Sequence, residues 1–246
     1  MNTKQFKSIL DQHPYPLLFV TVSGAHLYGF ASADSDYDLR GVHILPLPEV
    51  VGLTAQKDTI EASSSQNGRE VDFVTHDVHK FFGMMLQRNG YVLEQLLSPI
   101  IVHTTPHHDR LKEIAGACIT RHHAHHYFGF ARSQWGLFEK QRRVKPLLYT
   151  YRVLLTGIYL MQTGEVEANL THLNERFRLP YISDLIARKV AGAENAVLEE
   201  ADFAFHRLEF ERLRSVLESV KNASSLPDKP RCRDELNELL LQIRLA

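Results

Sequence analysis

The sequence predicts an α/β (α+β) protein, a sheet flanked by helices over residues 1–105, followed by an all-helical domain over residues 106–246. Three observations predict it. Apolar runs of strand length alternate with turn residues up to Thr75, helical periodicity replaces them from Val78, and no strand signal recurs after about Leu111.

A first helix is expected around Phe6 to Gln12, stopped by His13-Pro14, with Leu17–Val22 following as a short buried strand. A glycine turn comes next, then a short helix from about His26. A second strand runs from Asp38 to Leu45 and ends at Pro46 and Pro48. Lys57–Glu61 and Arg69–Thr75 read as a hairpin, joined by Ala-Ser-Ser-Ser-Gln-Asn-Gly as its loop, where Asn67-Gly68 favours positive φ. Asp77 then caps a helix whose apolar side is Val78, Phe81, Phe82, Met85 and Leu86, and Asn89 caps a second that packs through Val92, Leu93, Leu96 and Leu97. Beyond Leu111 the helices break near Gly116, Gly164, Pro180, Gly192 and the Ser224–Pro230 linker.

With 246 residues, 44% of them hydrophobic, the chain can bury a proper core. A formal charge of −1 gives no overall pull toward nucleic acid or acidic membranes, so any such binding must come from a local patch. No apolar run is long enough to span a membrane, no secretory leader is visible, and no obligate protein partner is evident, so the cytoplasm is the expected compartment. Cys118 and Cys232 lie far apart and form no C-x-x-C unit, so both are expected reduced, with neither a thiolate zinc site nor a disulfide framework.

The chemistry concentrates between Val22 and Val42. Asp36 and Asp38 stand one residue apart on a strand-like run, so both carboxylates aim to one side while Tyr37 and Leu39 face the other. Paired carboxylates suit the hard cations Mg²⁺ and Mn²⁺, and Gly24 and Gly29 let backbone N–H groups come close to a phosphate. The combination points to phosphoryl or nucleotidyl transfer. On the second hairpin arm Glu70, Asp72 and Val74 share one face, so Asp72 is the candidate third carboxylate.

The string Gly24-Ala25-His26-Leu27-Tyr28-Gly29, then Ser35-Asp36-Tyr37-Asp38-Leu39-Arg40-Gly41-Val42, resembles the signature of the DNA polymerase β-like nucleotidyltransferases, and more narrowly the RNA-repair-associated bacterial and phage type. The resemblance implies a polymerase-β-like catalytic domain built on a mixed sheet flanked by helices and using two Mg²⁺ ions, with Mn²⁺ as the alternative. Asp36 and Asp38 would hold the metal that carries the triphosphate. Asp72 would help hold the second and lower the pKa of an acceptor hydroxyl. Where the family usually has Gly-Ser, this chain has Gly24-Ala25; the backbone donors survive, and Ser23 is the candidate substitute hydroxyl. Arg40 shares the face of Asp38 and either pairs with an aspartate or contacts phosphate. Tyr28 either stacks on a base or packs beneath the turn.

The Arg121–Arg152 stretch is basic, with Glu139 as its single acid. Within it Lys145, Tyr149 and Arg152 fall on one side of a helix, a pattern similar to the family's triphosphate-clamping helix. His122 and His126 have helical zinc spacing, but the rest of a zinc motif is missing and phosphate or acceptor contact is the favoured reading. Glu94 is read as structural. The expected activity is transfer of a nucleoside monophosphate from an NTP, with ATP the first choice, to a hydroxyl on RNA, a small molecule or a protein, releasing pyrophosphate. The alternatives are a non-catalytic nucleotide or RNA sensor on the same fold, motivated by Ala25, and a metal-dependent phosphohydrolase.

Overall fold

A computed structural model of the chain describes residues 3–53, 57–66, 68–193, 198 and 200–246. The chain divides into two compact units, one of Met1–Leu27, Asp36–Cys118 and Lys229–Ala246, the other of Tyr28–Ser35 and Ile119–Asp228.

The first unit runs α1 (Lys7–Asp11), β1 (Leu17–Val22), α2 (Gly24–Leu27), β2 (Tyr37–His43), α3 (Leu47–Val51), β3 (Thr59–Gln66), β4 (Arg69–Asp77), α4 (Val78–Met85), α5 (Gly90–Leu96), β5 (Ile101–His103) and α6 (Pro106–Cys118). Its five strands form one sheet in the order β3-β4-β2-β1-β5. The β2–β4 pairing is parallel and the others antiparallel, which makes the sheet mixed, as the family resemblance implied. One apolar layer joins Phe6 to Val20, Val22, Tyr37, Leu39, Val71 and Phe73. A second joins Phe19 and Val42 to α4, α5 and α6 through Phe81, Val92 and Leu111 among others. The caps behave as anticipated: Asp77 accepts from the His79 N–H and Asn89 from the Tyr91 N–H.

The second unit contains α7 (Ala124–Gln141), α8 (Val144–Thr163), α9 (Leu170–Phe177), α10 (Pro180–Arg188) and α11 (Glu200–Ala223). Its core includes Trp135 of α7 stacked on Phe210 of α11 at 4.5 Å between ring centres. Among the described residues no helix is long and apolar enough to cross a membrane.

Three expectations change. The division at residue 105 does not match the packing, because α6 and the final helix α12 (Arg233–Leu245) bury Ile114, Cys118, Leu236, Leu239 and Ile243 in the core of the first unit. Arg244 of α12 holds the Leu45 carbonyl and both carboxylate oxygens of Asp77, the latter at 2.6 and 2.5 Å. The cysteines are not separate thiols: the return of α12 brings Cys232 onto Cys118, with Cα atoms 5.5 Å apart, in a disulfide spanning 114 positions. Sequence distance hid this contact. Finally, Ala62 to Gln66 is strand, not loop, so β3 runs to Gln66 and the hairpin turn is tight. Gly68 has the expected positive φ of 76°, while Asn67 lies outside the described residues.

Candidate active site

β2 and β4 set the site. Tyr37 and Leu39 are buried on one side of β2, leaving Asp38 and Arg40 on the other; on β4, Val71 and Phe73 are buried and Asp72 lies between them in the opposite direction. Asp38 and Asp72 are direct register partners across the parallel pairing. Arg40 confirms the shared face, since its Nη2 donates to Asp38 Oδ1 at 2.9 Å and to Asp72 Oδ2 at 2.8 Å. Nη1 donates to the Leu39 and Asp72 carbonyls, and Nε to the Tyr91 hydroxyl at 3.1 Å. Asp36 is exposed just before β2, close enough to raise the Asp38 pKa.

Burial is the main cause that pushes Asp38 above the usual carboxylate range; Arg40 opposes it, and Asp72 and Asp36 reinforce it. Burial alone would lower the guanidinium pKa of Arg40, but Tyr91, Asp38 and Asp72 outweigh it and hold the pKa up. The carboxylates therefore form a crowded anionic pair that one internal cation bridges and only partly offsets.

The glycine turn comes as near as it can. Gly24 has φ 62°, and a Cβ there would fall 1.8 Å from Asp38 Oδ2, so only glycine lets the turn approach that carboxylate. The Ser23 N–H donates to the Asp38 carbonyl at 2.8 Å. Ser23 Oγ is buried and has no hydrogen-bond partner among the described residues, while Ala25 sits inside α2. Across the sheet the order is thus turn, Asp38, Asp72.

The remaining sequence candidates lie in the second unit. Tyr28 is 2% exposed, with the Arg152 guanidinium 3.9 Å from its ring centre and Tyr149 edge-on at 5.7 Å, so the tyrosine packs beneath its neighbours. Arg152 is wholly buried, Tyr149 is half-buried and Lys145 is exposed. His122 pairs with Asp228 at 3.1 Å, and His126 packs against Tyr127 and Phe130, its pKa lowered to about 4 by burial and then by Arg152. Two contacts escaped sequence reading. Tyr91 fixes Arg40 from another element of the first unit, and within the second unit Lys189, 1% exposed, donates to Ser32 at 3.0 Å and to Ser35 at 3.4 Å. Neither carries a local motif.

Asp38 and Asp72 supply hard oxygen donors of the kind Mg²⁺ and Mn²⁺ take, and the pair already holds one cationic group. Among the described residues, no three His, Cys, Asp or Glu side chains are closed around a single point in the manner of a preformed metal cage.

A mixed sheet with a close glycine turn and aspartates on neighbouring strands is the layout of the polymerase-β-like nucleotidyltransferase class. The chain belongs to the RNA repair pathway DNA polymerase beta family, RlaP, whose model matches residues 2–242. It is 32% identical over 156 residues to the uncharacterized protein MJ0002 of Methanocaldococcus jannaschii, a match spanning 63% of this chain and 64% of that relative. It is also 25% identical over 249 residues to the uncharacterized protein YcgL of Bacillus subtilis, covering 96% of this chain and 93% of YcgL. A nucleotidyltransferase-like protein from Exiguobacterium sibiricum aligns in structure with a TM-score of 0.35 and 12% identity, over 90% of this chain and 74% of that one.

Proposed function

We propose that the protein is a metal-dependent nucleotidyltransferase that moves a nucleoside monophosphate from an NTP to a hydroxyl, with an RNA end as the acceptor favoured by the family's description. The observation that carries this reading is the register pairing of Asp38 with Asp72 on one face, beside a turn whose glycine alone permits the approach. Mg²⁺ or Mn²⁺ held by Asp36, Asp38 and Asp72 would neutralise the triphosphate and acidify the acceptor hydroxyl. The chain's own residues do the rest. The N–H groups opening α2 hold phosphate oxygens, Asp72 receives the hydroxyl proton, and Arg40 keeps the two carboxylates in place before the ions bind. The Lys145, Tyr149 and Arg152 clamp expected from the sequence has no part in this reading.

A sensor without turnover is the second reading, favoured by the Arg40 guanidinium that already bridges Asp38 and Asp72. Incubation with Mg²⁺, each NTP and an RNA oligonucleotide bearing a free 3′-hydroxyl separates them. Pyrophosphate release with extension of the RNA, lost in Asp38→Asn, supports transfer. NTP binding with no pyrophosphate under any acceptor supports the sensor.

A further inference from the structure

The row of paired residues does not stop at Asp72. On the far side of β4, the antiparallel pairing sets Ser63 of β3 directly opposite Asp72, just as the parallel pairing sets Asp38 opposite it from β2. Register partners point to the same face, so the Ser63 side chain lies in line with the two carboxylates, with Cβ atoms of neighbours about 5 Å apart. Ser65 opposite Glu70 and Glu61 opposite Val74 complete that face of β3, whereas Ser64 opposes Val71 and points to the other. β3 is an edge strand, and Ser63 is exposed. The order across the sheet is therefore glycine turn, Asp38, Asp72, hydroxyl. An in-line displacement asks for that order, with the departing phosphates at one end and the attacking oxygen at the other.

We infer that the protein nucleotidylates itself on Ser63, using an NTP as donor. This rests on the transferase reading of the same aspartates. Ser63 Oγ attacks the α-phosphorus, and an Oγ–P bond forms as the bond from that phosphorus to the oxygen bridging the β-phosphate breaks. The electron pair leaves with pyrophosphate, and the hydroxyl proton passes to the Asp72 carboxylate. Nothing is oxidised or reduced, and the product is a chain bearing one phosphodiester-linked nucleoside monophosphate. Ser63 belongs to an exposed stretch of an edge strand outside both apolar layers, so it can be replaced without disturbing the core.

The test uses the full chain with Mg²⁺ and the four NTPs labelled at the α-phosphate, with no other acceptor. The expected result is label that survives denaturing electrophoresis, an intact-mass increase of one nucleoside monophosphate, and a modified peptide mapping to Ser63. The same adduct is expected on part of the protein as purified from an expression host. Ser63→Ala should cut labelling at least tenfold, Ser64→Ala should leave it unchanged, and Asp38→Asn should abolish it. Label that persists in Ser63→Ala or maps elsewhere overturns the inference. Pyrophosphate release with label transferred to added RNA and none on the chain overturns it too, while leaving the transferase reading intact; absence of both label and pyrophosphate removes the two together.

Discussion

Asp38 on β2 and Asp72 on β4 share a single donor, Nη2 of Arg40, at 2.9 and 2.8 Å. Two carboxylates in direct register on parallel strands repel each other, and the guanidinium between them is what the sheet uses to tolerate the arrangement. Asp38→Asn and Asp72→Asn should each lower nucleotidyl transfer by at least about a hundredfold, the scale of losing one electrostatic stabiliser of developing charge. Their melting temperatures should stay near that of the parent. Either variant retaining parental turnover would remove its aspartate from the chemistry.

Arg40→Gln should destabilise the fold by about 1–2 kcal/mol, less than a fully buried pair because the Asp72 side chain is 41% exposed. It should also make the protein more responsive to Mg²⁺. A larger rise in melting temperature on adding Mg²⁺ than the parent shows is the expected outcome, and an equal or smaller rise would mean that no ion competes with Arg40.

At the turn, Gly24→Ala should cost about 1–2 kcal/mol for the left-handed conformation and should also displace the Asp38 carboxylate, so activity falls further than stability. Ala25→Ser should tighten NTP binding severalfold, the value of one added hydrogen bond of about 1 kcal/mol, with kcat little changed. Steady-state kinetics of the two variants check both statements.

Acidification should weaken the fold through His43. Its ring is fully buried and its pKa is lowered to about 4, first by burial and then by His13. The unfolded chain takes up a proton near pH 6.5 that the folded chain refuses, so the stability present above about pH 6.5 is lost as the pH falls toward about 4. Urea midpoints measured at neutral pH and near pH 5 should differ more for the parent than for His43→Asn. Parallel curves would place the acid sensitivity elsewhere.

The last helix should be a strong determinant of stability. Arg244→Ala leaves Asp77, 4% exposed, without its ion-pair partner, an expected loss of about 3–5 kcal/mol. Reducing the Cys118–Cys232 bond should cost up to about 4–5 kcal/mol by loop-closure entropy. Denaturation with and without reductant reads the second effect, and a reductant-insensitive midpoint would exclude it.

What the sequence revealed was local. Alternation on Tyr37 to Leu39 and on Glu70 to Val74 correctly assigned opposite faces, although Asp36 lies before β2 rather than on it, and Asp77 and Asn89 announced their helices, because both signals act within a few residues. The mixed sheet was legible only through the family resemblance, because its parallel β2–β4 pairing joins segments more than thirty positions apart. Contacts between distant segments were not. Ala62 to Gln66 looked like loop because serines favour turns, yet pairing with β4 overrides that preference. Nothing near Tyr91, Lys189 or Arg244 in the sequence foretells their partners, which lie 51, 157 and 167 positions away. The cysteines failed for the same reason.

Ribosomal synthesis delivers the sheet and its aspartates early, but Leu236, Leu239, Ile243 and Arg244 emerge only after the whole helical unit has been made. A nascent chain halted before Lys229 therefore displays a sheet whose hydrophobic layer is open and whose Asp77 has lost its counter-ion. Closure of the first unit therefore waits until the helical unit has been synthesised, and a frameshift within α12 would injure a sheet made long before it.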